Sequence, residues 1–321
     1  MTTPSKRIVL HVGLHKTATT FLQERVFPHL PGVAFVHPLH YPRPDDGPIE
    51  RFMLELFFRN AACIDIERHR RAIDAWLAGV AQDCVLISSE AIVGWPIENH
   101  MNLANNAALL HAMFPSAQVV LVVRRQDKWV ESAYAQLLKA GFSTTLERYV
   151  NWNADKAGFE PYNVGLYKGP NLDARDLDWD AFDRHYRGRF GEQRVLTLPF
   201  ERFADDAPDF LARLYAFLGV DAGPQPDTRE RVNERWTGAT ARVAKLVNKV
   251  PMPIKRAIRD RIGARWHPAA LFARTIEPML PRRKPAPLMS KALADALLEL
   301  HRDSNRALGR RIGIDLSQWG Y

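Results

Sequence analysis

The chain has 321 residues, 46% of them apolar and 25% charged, which are ordinary values for a globular protein and argue against disorder over most of its length. The net charge is +8, yet residues 241–284 carry 12 Lys/Arg against only Asp260 and Glu277, so the rest of the chain is close to neutral. That asymmetry is not the pattern of a general nucleic-acid binder, and no apolar run reaches the roughly 18 residues that a membrane span needs.

The N-terminus runs straight into Ile8–Val12, which reads as a first strand and is too short for a secretory signal core. Gly13 to Lys16 reads as a turn, and Thr17 to Phe27 as a helix that Pro28 stops. Residues 32–37 form a second strand, and 38–48, with four prolines, a loop. Residues 49–60 and 66–80 have helical apolar spacing. Val85-Leu86-Ile87 is a short buried strand ending at Ser88-Ser89-Glu90. A helix over 105–114, a strand over 119–123 and a helix over 128–140 follow. The alternation repeats with a helix over 179–190, a strand over 194–198 and a helix over 208–218. A last amphipathic helix covers 288–308. Strands alternating with helices predict an α/β fold with a central parallel sheet flanked by helices. The whole chain, 1–321, reads as one domain, with 241–288 as a basic helical insertion or lid within it. Only two cysteines, Cys63 and Cys84, are present. They suggest no disulfide framework, no Cys/His cluster has zinc spacing, and a reduced, cytoplasmic location is expected.

Chemistry concentrates at two strand-to-helix turns. In the first, His15-Lys16-Thr17-Ala18-Thr19-Thr20 follows a strand and opens a helix. Backbone N–H groups at a helix start bind anions, Lys16 adds a full charge and the threonines add hydroxyl donors. An ATP-binding loop of the form G-x-x-x-x-G-K-[ST] would place glycines where Leu10 and His15 stand, and the strand over 119–123 ends in Arg124-Arg125 rather than in a Mg²⁺-binding Asp. In the second turn, Arg124 stands just past a strand end and Ser132 lies on the following helix. Guanidinium plus hydroxyl can hold a second phosphate.

Together these segments resemble the PAPS-dependent sulfotransferase family, in its bacterial members. That family has a 5′-phosphosulfate loop Lys-x-Gly-Thr-Thr, here Lys16-Thr17-Ala18-Thr19-Thr20, and a 3′-phosphate motif Arg-x-Pro-x5-Ser-x-Tyr, here Arg124, Ser132 and Tyr134 with Gln126 in the proline's place. Ala18 is compatible with a helix start, and Gln126 keeps the spacing. The resemblance implies the P-loop-like sulfotransferase fold, PAPS as donor co-substrate, no metal, and a small-molecule, lipid or glycan acceptor. It also implies a donor site of His15, Lys16, Thr17, Ala18, Thr19, Thr20, Arg124 and Ser132. By position it adds Arg235, beside Asn233 and Glu234, in a loop that closes over the nucleotide. The general base is expected at Glu90, with His37 and His40 as the alternatives; His11 reads as core. The basic segment is either a solvated face or a lid that attracts an anionic acceptor or an anionic membrane surface. An ATP-dependent kinase and a non-catalytic nucleotide-binding protein are the competing functions. The acceptor, shaped by loops such as 38–48 and 141–175, and the oligomeric state are not encoded in any motif.

Overall fold

The computed structural model describes residues 6–161, 171–221, 223–227, 238–250 and 288–321. Five strands form one parallel sheet: β1 (Arg7–His11), β2 (Val33–Val36), β3 (Cys84–Ser88), β4 (Gln118–Val123) and β7 (Val195–Pro199), in the order β2-β3-β1-β4-β7. A two-stranded antiparallel hairpin, β5 (Trp152–Asn153) and β6 (Gly158–Phe159), is separate from it.

The strands are apolar at successive positions because both faces are covered. Ile8 and Leu10 of β1, Val85 and Ile87 of β3, and Val119, Leu121 and Val123 of β4 enter one core. Val9, Leu86, Val120 and Val122 point the other way into a second. The two-residue period of a strand thus divides each run between two layers. Helices α2 (Pro48–Phe58), α4 (Leu103–Met113), α5 (Gln126–Lys139) and α7 (Trp179–Phe190) cover the first face. Helix α9 (Ala207–Leu218) and the segment after β1 cover the second. In α2, Ile49, Phe52, Met53, Leu56 and Phe57 are buried, an apolar stripe at helical spacing, and Pro48 starts the helix. Helices α3 (Ile66–Gly79), α6 (Leu146–Tyr149), α8 (Phe200–Asp205) and α10 (Gly238–Asn248) complete the set up to residue 250.

Two expected elements differ. The first helix does not start at Thr17: α1 covers Thr19–Phe21 and continues as a wider π-helical turn, Leu22–Val26. Lys16 and Ala18 have φ of 69° and 63°, so neither can belong to a right-handed helix. Ala18 is therefore the left-handed N-cap of α1 and not part of its first turn. The expected helix over 288–308 is two, α11 (Lys291–Leu300) and α12 (Arg302–Ile312). His301 breaks it, and its ring bonds the Ala174 carbonyl at 2.8 Å. Of the basic segment, α10 and the residues to 250 are described. Asn248 donates to the carbonyls of Leu138 (2.9 Å) and Phe142 (2.8 Å), fastening α10 to the end of α5. The remainder, 251–287, and Arg235 lie outside the described residues. Among the described residues no helix is long and apolar enough to cross a membrane.

Candidate active site

The sheet order places a topological switch point between β1 and β4: the chain leaves β1 toward β2 and leaves β4 toward β7. Ligands of open parallel sheets bind outside the carboxyl ends of the strands at such a point. The segments following β1, β2, β3 and β4 carry Lys16, His37, Glu90 and Arg124 to this edge.

Pairing of β1 with β4 extends past the strand, through Val12 N–H to Val120 O (3.0 Å) and Leu14 N–H to Val122 O (3.1 Å). The loop then leaves the sheet, and its carbonyls are held from behind. Trp129 Nε1 donates to His15 O (2.7 Å) and Arg124 Nη1 donates to Lys16 O (2.8 Å). The hydroxyls of Thr17 and Thr19 both donate to Leu14 O, the second at 3.4 Å, so they brace the loop rather than point out of it. Thr20 makes no such bond. The N–H groups of His15, Lys16, Thr17 and Ala18 donate to no group among the described residues. Left-handed φ at Lys16 and Ala18, with Thr17 between them not left-handed, gives the alternation that gathers successive N–H groups into an anion-binding nest. At Ala18 a glycine would adopt this φ without strain, which explains the residue usual in the resembled motif. Gly13 (φ 29°) lies against the end of the nest, where a Cβ would meet Thr19 Oγ1 at 3.1 Å and His11 Nε2 at 3.2 Å.

His11 is fully buried as expected, with Nδ1 2.7 Å from Ser88 Oγ. Gln23 donates to the same hydroxyl at 3.0 Å. This buried network ties the end of β1 to the end of β3, and so fixes the Lys16 loop relative to Glu90. Burial, with His37 nearby, lowers the His11 pKa to about 3, so its ring is neutral.

The Lys16 ammonium is held below its ordinary pKa, first by burial, then by the charges of Lys139 and Arg124, while Glu90 acts in the opposite sense. Glu90 also acts on His37, whose own pKa is lowered chiefly by burial. Lys16, Glu90 and His37 therefore share one electrostatic neighbourhood. Glu90 is half-buried in a one-turn helix, Glu90–Val93, capped by Ser89. His40 is exposed and meets the edge of Trp95, with ring centroids 5.0 Å apart.

Arg124 lies over the Phe200 ring at 4.5 Å, and its carbonyl accepts from Trp179 Nε1 at 2.8 Å. Ser132 is half-buried on α5, and its hydroxyl bonds no described residue. Gln126 does more than preserve spacing: it exchanges two hydrogen bonds with Asn305 of α12, at 2.9 and 3.1 Å. Tyr134 OH donates to Thr144 O at 2.8 Å and braces the end of α5.

The sequence reading missed Lys139, Trp95, His100 and Trp129. Lys139 follows Ser132 by two helical turns and shares its face, a spacing that was available in the sequence. The aromatic residues lie beside His15 and carried no local signal. A shallow cavity of about 470 Å³ lined by His111, Arg184, His185, Gly188 and Arg189 lies near the opposite edge of the sheet, where β4 and β7 begin, and contains none of the site residues. Among the described residues no three His, Cys, Asp or Glu side chains gather as a metal site.

Known proteins share this fold. A crystal structure of a sulfotransferase from Alicyclobacillus acidocaldarius superposes over 99% of this chain and 100% of that one, with a TM-score of 0.53 and 17% identity, a likeness of fold. A mouse sulfotransferase, SULT7A1, solved with PAP, matches over 96% of this chain and 87% of that one at 11% identity and a TM-score of 0.43. No curated protein matches the sequence. A model of the sulfotransferase family matches residues 9–224, a span that covers more than half of the chain and includes the turns after β1 and β4. The chain belongs to the sulfotransferase family.

Proposed function

We propose that this chain moves the sulfuryl group of PAPS to a hydroxyl of a small-molecule, lipid or glycan acceptor. The observation that carries the reading is the pair of anion sites flanking the switch point, joined by the Arg124–Lys16 carbonyl hydrogen bond. A donor with separate 5′ and 3′ phosphates uses both; AMP or ATP leaves the second one idle.

The residues present fit such a donor. Four N–H groups of the nest, the Thr20 hydroxyl and Lys16 would hold the 5′-phosphosulfate; Arg124 and Ser132 would hold the 3′-phosphate. Bound there, the donor supplies an activated sulfuryl group. Glu90 takes the acceptor proton as the new O–S bond forms and the S–O bond to the 5′-phosphate breaks. Lys16 offsets the negative charge that grows on the departing oxygen. Lys16, Lys139 and Arg124 concentrate positive charge at one edge, so this scheme assigns no step to a metal. His37 stands beside Glu90 as the alternative base, since burial keeps its ring neutral and able to accept a proton. His40 is the more exposed alternative.

The proposal extends to residues 1–321 as one catalytic domain, with the basic run 241–288 as a lid that attracts an anionic acceptor or membrane surface. A cytoplasmic location is supported by two free cysteines. Incubation with PAPS labelled in its sulfur, a mixed panel of alcohols and excess EDTA tests the function. Label is expected to move to an alcohol and to stop moving in Lys16→Ala. Transfer of phosphate from ATP that requires Mg²⁺ would establish the kinase instead.

A further inference from the structure

The ring of His15 projects away from the nest formed by its own loop. Its carbonyl is fixed by Trp129, and its imidazole packs against Trp95 (centroids 5.5 Å apart) and His100 (6.4 Å). Both ring nitrogens are buried, and neither has a hydrogen-bond partner. His100 completes the picture. Its Nδ1 meets the Val93 carbonyl at 3.0 Å, so that nitrogen carries the proton, and Nε2 is a buried lone pair, again without a partner. Three nitrogens in one aromatic cluster are therefore unsatisfied, each at a cost of about 1–3 kcal/mol.

The turn that carries Trp95 and His100 is itself strained. Asn99 and His100 have φ of 54° and 53°, and Gly94 has φ 80°, where a Cβ would meet the His100 α-carbon at 3.1 Å. Asn99 holds that shape by accepting from Asp173 N–H (2.9 Å) and donating to the Asp176 carboxylate. Non-glycine residues in this conformation persist where surrounding structure imposes them, and they gather at ligand sites. The turn follows directly on Glu90–Val93, and Trp95 meets His40 of the loop after β2 at 5.0 Å, which sets the cluster on the Glu90 side, with His100 packed on Trp129 of α5 behind it (5.6 Å). The groups that depress His15, after burial itself, are His100, Lys16 and His40; Lys139 and Arg124 act on Lys16 instead. The wall is thus made of indole and neutral imidazole rings, one loop position from the lysine at the reacting centre.

Resting on the sulfotransfer reading above, we propose that the His15 ring contacts the acceptor while its backbone N–H stays with the donor, and that the rings of His15, Trp95 and His100 form a wall for an uncharged hydroxyl compound with a flat apolar face. The face lies against Trp95, and His15 hydrogen-bonds the acceptor. Both ring nitrogens are buried in the free chain, so the contact requires the ring to turn one of them toward the bound acceptor.

The test is calorimetry in two stages, first with 3′-phosphoadenosine 5′-phosphate and then with 2-naphthol added to the saturated protein. If the nucleotide does not bind the native protein, the sulfotransfer reading fails, independently of this one. If it binds, 2-naphthol is expected to bind the complex more tightly than cyclohexanol. His15→Ala should weaken 2-naphthol at least tenfold while changing nucleotide affinity less than twofold, and His15→Asn should restore part of the loss. Because the ring has no internal partner, His15→Leu should melt no lower than the native protein while losing 2-naphthol in the same way. A nucleotide affinity that falls with His15→Ala, absent 2-naphthol binding, or a lower melting temperature in His15→Leu would each overturn the proposal.

Discussion

The two halves of the site are built differently. On the proposed donor side, between β1 and β4, the loop is fixed by hydrogen bonds to its carbonyls from Arg124 and Trp129, and what it offers a ligand is backbone N–H donors and the Lys16 ammonium. On the proposed acceptor side, after β2 and β3, the site offers Glu90 and a set of aromatic side chains carried on turns. A phosphate demands the same donors whatever molecule bears it, so the first half is made of backbone geometry. An acceptor is recognised by its particular shape, so the second half is made of side chains, which a family can exchange without disturbing the sheet.

Substitutions in the two halves should therefore separate donor binding from turnover. The largest effect is expected for Lys16→Ala, with kcat/KM for sulfuryl transfer reduced about 10³-fold, since it removes both a donor contact and charge stabilisation. Glu90→Gln should lower kcat by about 10²-fold or more with donor affinity unchanged in calorimetry. Full turnover in this variant would move the base to His37. Arg124→Ala should weaken 3′-phosphoadenosine 5′-phosphate about 10- to 100-fold, the loss of a charged hydrogen bond in a partly buried site. AMP should weaken less, through the freed Lys16 carbonyl alone. An equal loss for both nucleotides would show that Arg124 acts only as a brace.

Both halves rest on buried neutral histidines, and this gives a dependence of stability on pH. In the folded chain the pKa of His11 is about 3 and that of His100 about 4, against 6.5 for an ordinary histidine. Between those values the unfolded chain binds more protons. Stability is then full above about pH 6.5 and falls as pH drops toward about 3 to 4, by about 1.4 kcal/mol per proton and pH unit. Urea melts at pH 7, 6 and 5 should show the decline. The smallest effect belongs to Ala18→Gly. Relief of the left-handed strain at φ 63° should raise stability by up to about 1 kcal/mol, visible as a higher melting temperature with donor affinity kept.

The contrast also explains what could be read in advance. Runs such as Val119–Val123 are apolar on both faces and bounded by turn residues, so the strands were legible to within a residue or two. Lys16, Arg124 and Ser132 could be singled out as candidates because the proposed donor site is two short contiguous motifs. The left-handed turn at Lys16 and Ala18 was not, because alanine gives no sign of it and the carbonyl bonds that impose it come from residues more than 100 positions away. Trp95 and His100 were invisible for the same reason. A tryptophan becomes part of a site only when the turn from Gly94 to His100 folds it against His15. The break at His301 depends on the carbonyl of Ala174, again distant in sequence.

The central claim, that two anion sites flanking one switch point receive a nucleotide with two separate phosphates, is tested most directly by calorimetric titration of 3′-phosphoadenosine 5′-phosphate, AMP and ATP without Mg²⁺. The account predicts binding of 3′-phosphoadenosine 5′-phosphate at least tenfold tighter than AMP or ATP. Equal affinities, or a preference for ATP that appears on adding Mg²⁺, would contradict it.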